Sequence, residues 1–356
     1  MGKLGEYITE YSEKNINNEY RPVAVGKYGI RSRESIYKKE LAADYSKNKV
    51  IFKNTLTVGM GSKQIDIGIL SDDEIFSVSP AYRTYKISGV NSKYLGFCLQ
   101  AKNKEMFESY VKQSARQGKT IDFKRWLDFE IPVPNEDTQA QIVESLESIK
   151  SLITCQEEKL TLLNELVKAR FVEMFGDPII NNKNLPKVRG EEFFKLSNGK
   201  FVPEAKRCES GIPVYGGNGI SWYTEDSLVN SDTIVVGRVG FQSGNVHYAN
   251  GPLWVSDNAM YVSNYDANKY DLRFLCHLME HIDFTQHQDS GDLKKVTQKP
   301  FMSMEYICPA LTKQQKYVAF VYQLDKSKFV ESLHLAKRKN GQYNKIGFLE
   351  VNTWDM

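Results

Sequence analysis

Two stretches of this 356-residue chain say nearly the same thing. EIPVPNEDTQAQIVESL, from Glu130 to Leu146, and EYICPALTKQQKYVAFV, from Glu305 to Val321, align without a gap at an offset of 175. The alignment pairs Glu130 with Glu305, Pro134 with Pro309, Gln139 with Gln314, Val143 with Val318 and, just beyond, Ile149 with Leu324. A repeat constrains a fold more than any composition value, because whatever unit the first copy forms, the second forms too. Upstream, Gln113 matches Gln288, Lys119 matches Lys294 and Ile121 matches Val296 at the same offset. Farther back the match continues while the offset drifts, as it does when loops rather than core elements change length. Val78-Ser79 pairs with Val255-Ser256, Thr55 to Gly59 with Thr233 to Gly237, and Pro22-Val23 with Gly29-Ile30 echoes Pro213-Val214 with Gly219-Ile220. LGEYI near residue 4 echoes RGEEF near residue 189. The chain is two copies of one unit, roughly 1–176 and 185–356.

Each copy begins with short β-branched runs separated by Gly, Asn, Asp and Pro, a pattern of short strands and turns. Lys49 to Phe52, Thr55 to Val58, Thr233 to Val236 and Ala259 to Val262 are such runs. One helical stretch follows in each, Lys93 to Val111 and Asp271 to Phe284. A long helix then takes over. From Asp137 to Phe175 neither Gly nor Pro interrupts, with Pro132 and Pro134 before and Gly176-Asp177-Pro178 after as stop signals. Steps of four and three pick out Ile142, Leu146, Ile149, Ile153, Gln156, Leu160, Leu163, Val167, Arg170 and Met174. That is a heptad seam sustained for more than four repeats, which predicts a coiled coil. The second helix, about Thr312 to Lys339, carries the seam through Tyr317, Val321, Leu324 and Leu335 but places Lys328 and Glu331 where Ile153 and Gln156 stand. Asn340-Gly341 is expected to end it early, leaving it shorter than its partner. Antiparallel pairing of the two, with a globular domain at each end, predicts an α/β dumbbell on a coiled-coil handle.

The chain is 41% hydrophobic and 26% charged, ordinary for a globular protein able to bury real cores. Five cysteines with no CxxC pair support neither a disulfide framework nor a cysteine zinc site. The N-terminus lacks an apolar leader and no segment approaches a membrane span, so a cytoplasmic location is expected. Net charge is only +3, yet the cations are clumped. Lys27, Arg31, Arg33, Lys38 and Lys39 stand against Glu34, and Lys112, Arg116, Lys119, Lys124 and Arg125 against Asp122. Patches of this kind bind phosphate even in a nearly neutral chain, although a solvated surface has the same composition.

No catalytic constellation emerges. His277 and His281 in HLMEH have zinc-like i,i+4 spacing, with His287 beyond, but Glu280 adjoins the second histidine rather than the first. Tyr215 to Gly219 and Gly237 to Gly240 lack the context of phosphate loops, and Glu204-Ala-Lys206 has no evident partner acid. No Asn-Pro-Pro-aromatic or Asp-Pro-Pro-aromatic methyltransferase motif occurs.

The IPVP before the helix (Ile131 to Pro134), the Gln-x-x-Ile-Val that opens it (Gln139 to Val143), the text QEEKLTLLNELVKARFVEMFGDP (Gln156 to Pro178) and the duplicated order of globular region then helix resemble the specificity subunits of type I restriction-modification systems. The resemblance covers essentially the whole chain. It implies target-recognition domains at 1–134 and 177–309, a spacer helix at 135–176, and a second helix with a tail at 310–356. It also implies that each domain reads one half of a bipartite double-stranded DNA target. The helices of that family dock two methyltransferase (modification) subunits, which bind S-adenosylmethionine, and restriction subunits join to form the nuclease. The chain itself would be non-catalytic and hold no cofactor or metal.

Base edges are read by side chains and register is held by phosphate contacts. In the first domain the candidates are Lys27, Arg31 and Arg33, then Lys63 and Gln64 after Gly61, and Arg116 with Lys119 beside Gly118. The repeat nominates Asn218, Trp222 and Tyr223, then Arg238 and Gln242, and Lys294 with Lys295 in the second. Domains ~40 to 60 Å apart would place the two readings a little over one helical turn apart, a turn of B-DNA being ~34 to 36 Å. Two other readings stay open at this point: a coiled-coil scaffold that binds no DNA, and a free-standing nuclease or methyltransferase with an unfamiliar site.

Overall fold

The computed structural model describes residues 1–35, 44–114, 118–291 and 294–351. The chain divides into two units, one made of Met1–Glu157 and the segment from Leu333 onward, the other of Glu158–Ser332. In the first, strands β1 (Gly2–Lys3), β2 (Ile8–Tyr11), β3 (Val23–Gly26), β4 (Gly29–Ser32), β5 (Lys49–Ile51), β6 (Thr55–Met60), β7 (Ile65–Leu70), β8 (Phe76–Val78) and β9 (Arg83–Ile87) precede helices α1 (Ser92–Ala101) and α2 (Asn103–Tyr110). The hairpin β10 (Val111–Ser114) and β11 (Gly118–Ile121), the short helix α3 (Phe123–Trp126) and strand β12 (Glu130–Ile131) then lead into α4 (Glu136–Phe175). The second copy runs β13 (Lys187–Arg189), β14 (Phe194–Asn198), β15 (Ile212–Gly216), β16 (Gly219–Thr224), β17 (Thr233–Gly237), β18 (Val246–Ala249), β19 (Trp254–Val255) and β20 (Ala259–Tyr265). It ends in α5 (Leu272–Glu280), α6 (Gln298–Ser303), β21 (Glu305–Ile307) and α7 (Leu311–Val351).

Both copies build the same four-stranded antiparallel sheet, in order β2-β9-β6-β7 and β14-β20-β17-β18. The third strand of each order is the β-branched run that the repeat aligned, and both of its faces are covered. Ile234 and Val236 point into the larger core of the second unit, while Val235 joins a smaller one with Ala249, Leu253, Val255 and Ala259. Alternation along a strand feeds the two cores from one sequence run. A hairpin also recurs, β3 with β4 and β15 with β16, each closing on a glycine pair, Gly26 opposite Gly29 and Gly216 opposite Gly219.

The repeated text at the head of each long helix is explained by one side chain. Gln139 is buried, donates through Nε2 to the Pro134 carbonyl (2.7 Å) and accepts the Asn91 amide on Oε1 (2.9 Å). Gln314 does the same with the Pro309 carbonyl (2.8 Å) and the Asp271 amide (2.9 Å), and donates also to the Lys269 carbonyl. Asn91 and Asp271 are the N-caps of α1 and α5, so each glutamine ties the start of a long helix to the start of the helix in front of it. One position of the sequence echo is out of step. Strand pairing sets Lys3 opposite Glu130 and Arg189 opposite Glu305, so Leu4 corresponds to Gly190 and the LGEYI/RGEEF match is slipped by one residue.

The long helices run 40 and 41 residues. Asn340-Gly341 therefore does not end α7, and the expectation of a shorter second helix is corrected. An interior glycine costs only ~1 kcal/mol, too little to stop a helix already propagating. Along α4, Leu146, Ile153, Gln156 and Val167 are buried, and Ile142, Ile149, Leu160, Leu163, Arg170 and Met174 half-buried. In the second unit the C-terminal half of α4 lies antiparallel to the N-terminal half of α7. Lys159 pairs with Glu331 (2.5 Å), the Arg170 guanidinium sits 5.5 Å from the Phe320 ring, and Phe175 packs on Tyr317. The charged seam residues of α7 are thus accommodated: Glu331 by Lys159, and Lys328 by Asp325 (3.4 Å). Val167, Phe171, Phe175, Tyr317, Val318 and Val321 belong to the core of that unit, with Met174 and Leu324 against it. Each buried Phe is worth ~1.5 to 3 kcal/mol over an exposed one.

The single helix expected over Lys93 to Val111 breaks at Lys102 into α1 and α2. Asn103 explains the break, since its amide grips both the N–H (3.0 Å) and the carbonyl (2.8 Å) of Ile65 at the start of β7.

Candidate nucleic-acid interface

The hairpin tips and the loops beside them carry the cation-rich and amide-rich positions of each unit. In the second unit three of these loops are fastened together. The β15–β16 turn, Gly217-Asn218, lies against the β17–β18 loop, with the His247 Nε2 3.2 Å from the Gly217 carbonyl oxygen. The approach is backbone to backbone: a Cβ on Gly237 would stand 2.3 Å from the Gln242 carbonyl oxygen and 3.0 Å from the Gly217 Cα, so only glycine fits. The third loop joins through Gly240 N–H to the Lys294 carbonyl (2.8 Å) and Val296 N–H to the Arg238 carbonyl (2.9 Å). Asn218, Arg238, Gln242, Lys294 and Lys295 are brought to one region by these links. Asn218, Lys294 and Lys295 are exposed, and Arg238, half-buried, donates through Nη1 to the Asp257 carbonyl (3.2 Å). Trp222 and Tyr223 instead lie along strand β16, paired with Val214 and Pro213, and the Arg207 guanidinium covers the Trp222 ring at 4.5 Å.

In the first unit the corresponding positions fall into two groups. Lys119 on β11 donates to the Ser62 carbonyl (2.6 Å), which brings it beside Lys63 and Gln64 in the β6–β7 turn. Lys27 and Arg31 flank Tyr28 at the β3–β4 tip, each cation 5.4 Å from its ring. Arg33 sits over Tyr45 at the same distance, 5.4 Å. Arg31, Arg33 and Tyr28 line an open cleft of about 870 Å3 bounded by β7, α1 and the start of α4. Arg116, with Lys38 and Lys39 of the basic patch, lies outside the described residues. Lys112 is spent on Asp122 (2.7 Å), whose carboxyl that ammonium holds below its usual range.

Two exposed aromatics at these tips escaped the sequence reading. Tyr28 is 71% and Phe241 88% exposed. Their signal was present, an aromatic next to glycine in a cation-bearing loop, but only the fold separates such a residue from a core aromatic. The histidines of HLMEH serve packing. The His281 ring stacks on Phe171 (4.0 Å between centroids) with its Nδ1 2.8 Å from the His277 carbonyl oxygen, and His277 Nδ1 lies 3.1 Å from Glu280 Oε2. Glu204-Ala-Lys206 is likewise engaged, Lys206 reaching Asp226 at 2.7 Å. Among the described residues no group of three His, Cys, Asp or Glu side chains could hold a metal, and no helix is long and apolar enough to cross a membrane.

Comparison with known proteins gives a consistent answer. Residues 3–165 and 182–334 each match the family described as type I restriction modification DNA specificity domain. A curated relative, the type I restriction enzyme EcoprrI specificity subunit of Escherichia coli, is 23% identical over 223 residues, which are 58% of this chain and 55% of the relative. The match thus spans about half of that protein. Among solved structures, the S subunit of a type I restriction-modification system from M. genitalium superposes with a TM-score of 0.59 at 15% identity, over 96% of each chain. A second structure, from work on complex assembly and conformational transition of the type I R-M system, gives 0.58 at 14% identity over 98% of this chain and 96% of its own. At these identities the superpositions speak for the fold.

Proposed function

The chain belongs to the type I restriction modification DNA specificity family, and from that premise we propose that each of its units reads one half of a split duplex target while the chain itself performs no chemistry. The observation that carries this reading is the contrast between a conserved frame and divergent tips within one polypeptide. The sheets and the glutamine ties agree strand for strand, but the tip that holds Lys27 and Tyr28 in one copy holds Gly217 and Asn218 in the other. Arg and Gln can meet guanine and adenine edges in bidentate fashion, whereas Lys serves phosphate as a point charge. Arg31 and Arg33 in the first unit, and Arg238 and Gln242 in the second, are therefore the base-reading candidates. Lys27, Lys63, Lys119, Lys294 and Lys295 would hold register.

The bases between the two half-sites go unread. Helix α4 alone, at 40 residues and ~1.5 Å per residue, is ~60 Å long, more than one turn of B-DNA. In the second unit α4 and α7 carry apolar side chains that belong to no core: Leu162 is 63% exposed and Phe329 71%. They are suited to docking two methyltransferase subunits, which would supply S-adenosylmethionine and the reaction, with restriction subunits completing the nuclease. Comparison of the methylomes of cells with and without this gene tests the whole reading. Loss of methylation at one split motif is the expected result; an unchanged methylome, with salt-insensitive or absent duplex binding by the purified chain, would favour a scaffold instead.

A further inference from the structure

Phe241 is the most exposed large apolar side chain of the described residues, 88% accessible, on a loop that is otherwise pinned at nearly every residue. Gly237 N–H bonds to the Asn245 carbonyl and Gly244 N–H to the Gly237 carbonyl (both 2.8 Å), and Ser243 N–H closes on the Gly240 carbonyl (3.0 Å). Gly240 takes a φ of +95°, a turn that aims the next residue away from the sheet. From outside the loop, Gly240 N–H reaches the Lys294 carbonyl, and Gln288 Nε2 the Ser243 carbonyl at 2.8 Å. A mobile loop would let the ring fold back onto the surface; this one holds it in water and forgoes the stabilisation of ~1.5 to 3 kcal/mol that burying a Phe brings. Its surroundings are Arg238, Gln242, Lys294 and Lys295, a set suited to phosphates and base edges and unsuited to an apolar protein partner.

We infer that Phe241 is a specificity-determining residue of the second unit that makes apolar contact with the C5-methyl group of a thymine in the major groove, with the neighbouring cations on the flanking phosphates. The inference rests on the duplex-reading function proposed above. A narrow, rigid loop with an apolar tip fits a groove ~12 Å wide, and the thymine methyl is the one apolar feature that the major groove displays. The repeat could not reveal this residue, because the aligned turn of the first unit, Gly61 to Gln64, has no aromatic.

The test uses the full chain, wild type and Phe241→Ala, each selected against randomised duplexes. The wild type is expected to enrich a split motif. The variant should keep that motif except at one thymine in one half, where preference is lost, with affinity for the wild-type optimum down about tenfold. Replacing that thymine by deoxyuridine should weaken the wild type about three- to fivefold, the scale of one methyl group, and leave the variant unaffected. An unchanged motif and affinity in the variant, or equal weakening on all sequences, overturns the inference while leaving the duplex-reading function standing. Failure of the wild type itself to enrich any motif sinks that function and the inference with it. Because the side chain lies in solvent, the variant should melt with the wild type, so its fold is not in question.

Discussion

At the tip of the β3–β4 hairpin the first unit presents Tyr28 between Lys27 and Arg31, whereas the matching β15–β16 tip of the second unit is Gly217-Asn218, pressed into a neighbouring loop. The aromatic of the second unit has moved to that neighbour, as Phe241. Beneath the tips, the order of strands, the pairing of β1 with β12 and of β13 with β21, and the glutamine ties are shared. Duplication thus preserved what a helix must plug into and released what a ligand would touch. Backbone hydrogen bonds in a buried joint have few alternative partners, and solvent-facing tips have many.

The largest expected effect breaks the shared frame. Gln314→Ala removes three hydrogen bonds at a fully buried side chain and Gln139→Ala two, so costs of about 3 and about 2 kcal/mol are expected. Hydrogen exchange across a urea series should assign each loss to its own unit. Equal costs would mean that the extra bond to the Lys269 carbonyl contributes nothing. The second test separates the tips. Arg31→Ala should relax base preference in one half-site and Arg238→Ala in the other, each by about 1 to 3 kcal/mol, leaving the opposite half intact. Lys63→Ala and Lys119→Ala should instead weaken all sequences alike and lower the salt dependence by about one charge each. Uniform weakening by the arginine variants would demote both to phosphate contacts.

The smallest effect is an asymmetry in acid. His281, packed on Phe171 and facing His277 and Glu280, has its pKa lowered from 6.5 chiefly by burial. The unfolded chain therefore takes up the proton first, so the contribution of this group is present above about pH 6.5 and is lost as pH falls below it. No histidine precedes residue 247 in the sequence. Hydrogen exchange at pH 7.5 and 5.5, corrected for intrinsic rates, should show α5 loosening in acid while α1 does not. Equal loosening of α1 would reject the asymmetry.

Much of the frame was legible because it rests on periodicity. The runs at Thr55 and Thr233 and the helix from Asp137 to Phe175 emerged within two residues of their expected bounds. What stayed hidden depended on contacts distant in sequence. Lys102 ends α1 because Asn103 is claimed by Ile65, and α7 continues through Gly341 because one interior glycine costs a helix only ~1 kcal/mol. At the tips, composition nominated Asn218, Arg238, Gln242, Lys294 and Lys295, but only hydrogen bonds between positions far apart in sequence, such as His247 to Gly217 and Val296 to Arg238, gather them, and Trp222 with Tyr223 proved to be strand residues. Phe241 shows the limit of composition most clearly, since nothing in FQSGN distinguishes a ring in solvent from one in a core.

The division of the chain has a temporal consequence. One unit draws on residues from Met1 to Glu157 and again from Leu333, with the whole of the other intervening. On the ribosome the first unit has its core residues, Leu4 to Val143, before the second begins to emerge, whereas the second cannot close around Phe171 until Tyr317 arrives, nearly 150 residues later. The second unit therefore stays half-built for longer, and the phenylalanines of α4 that wait for α7 are where a chaperone would find its client.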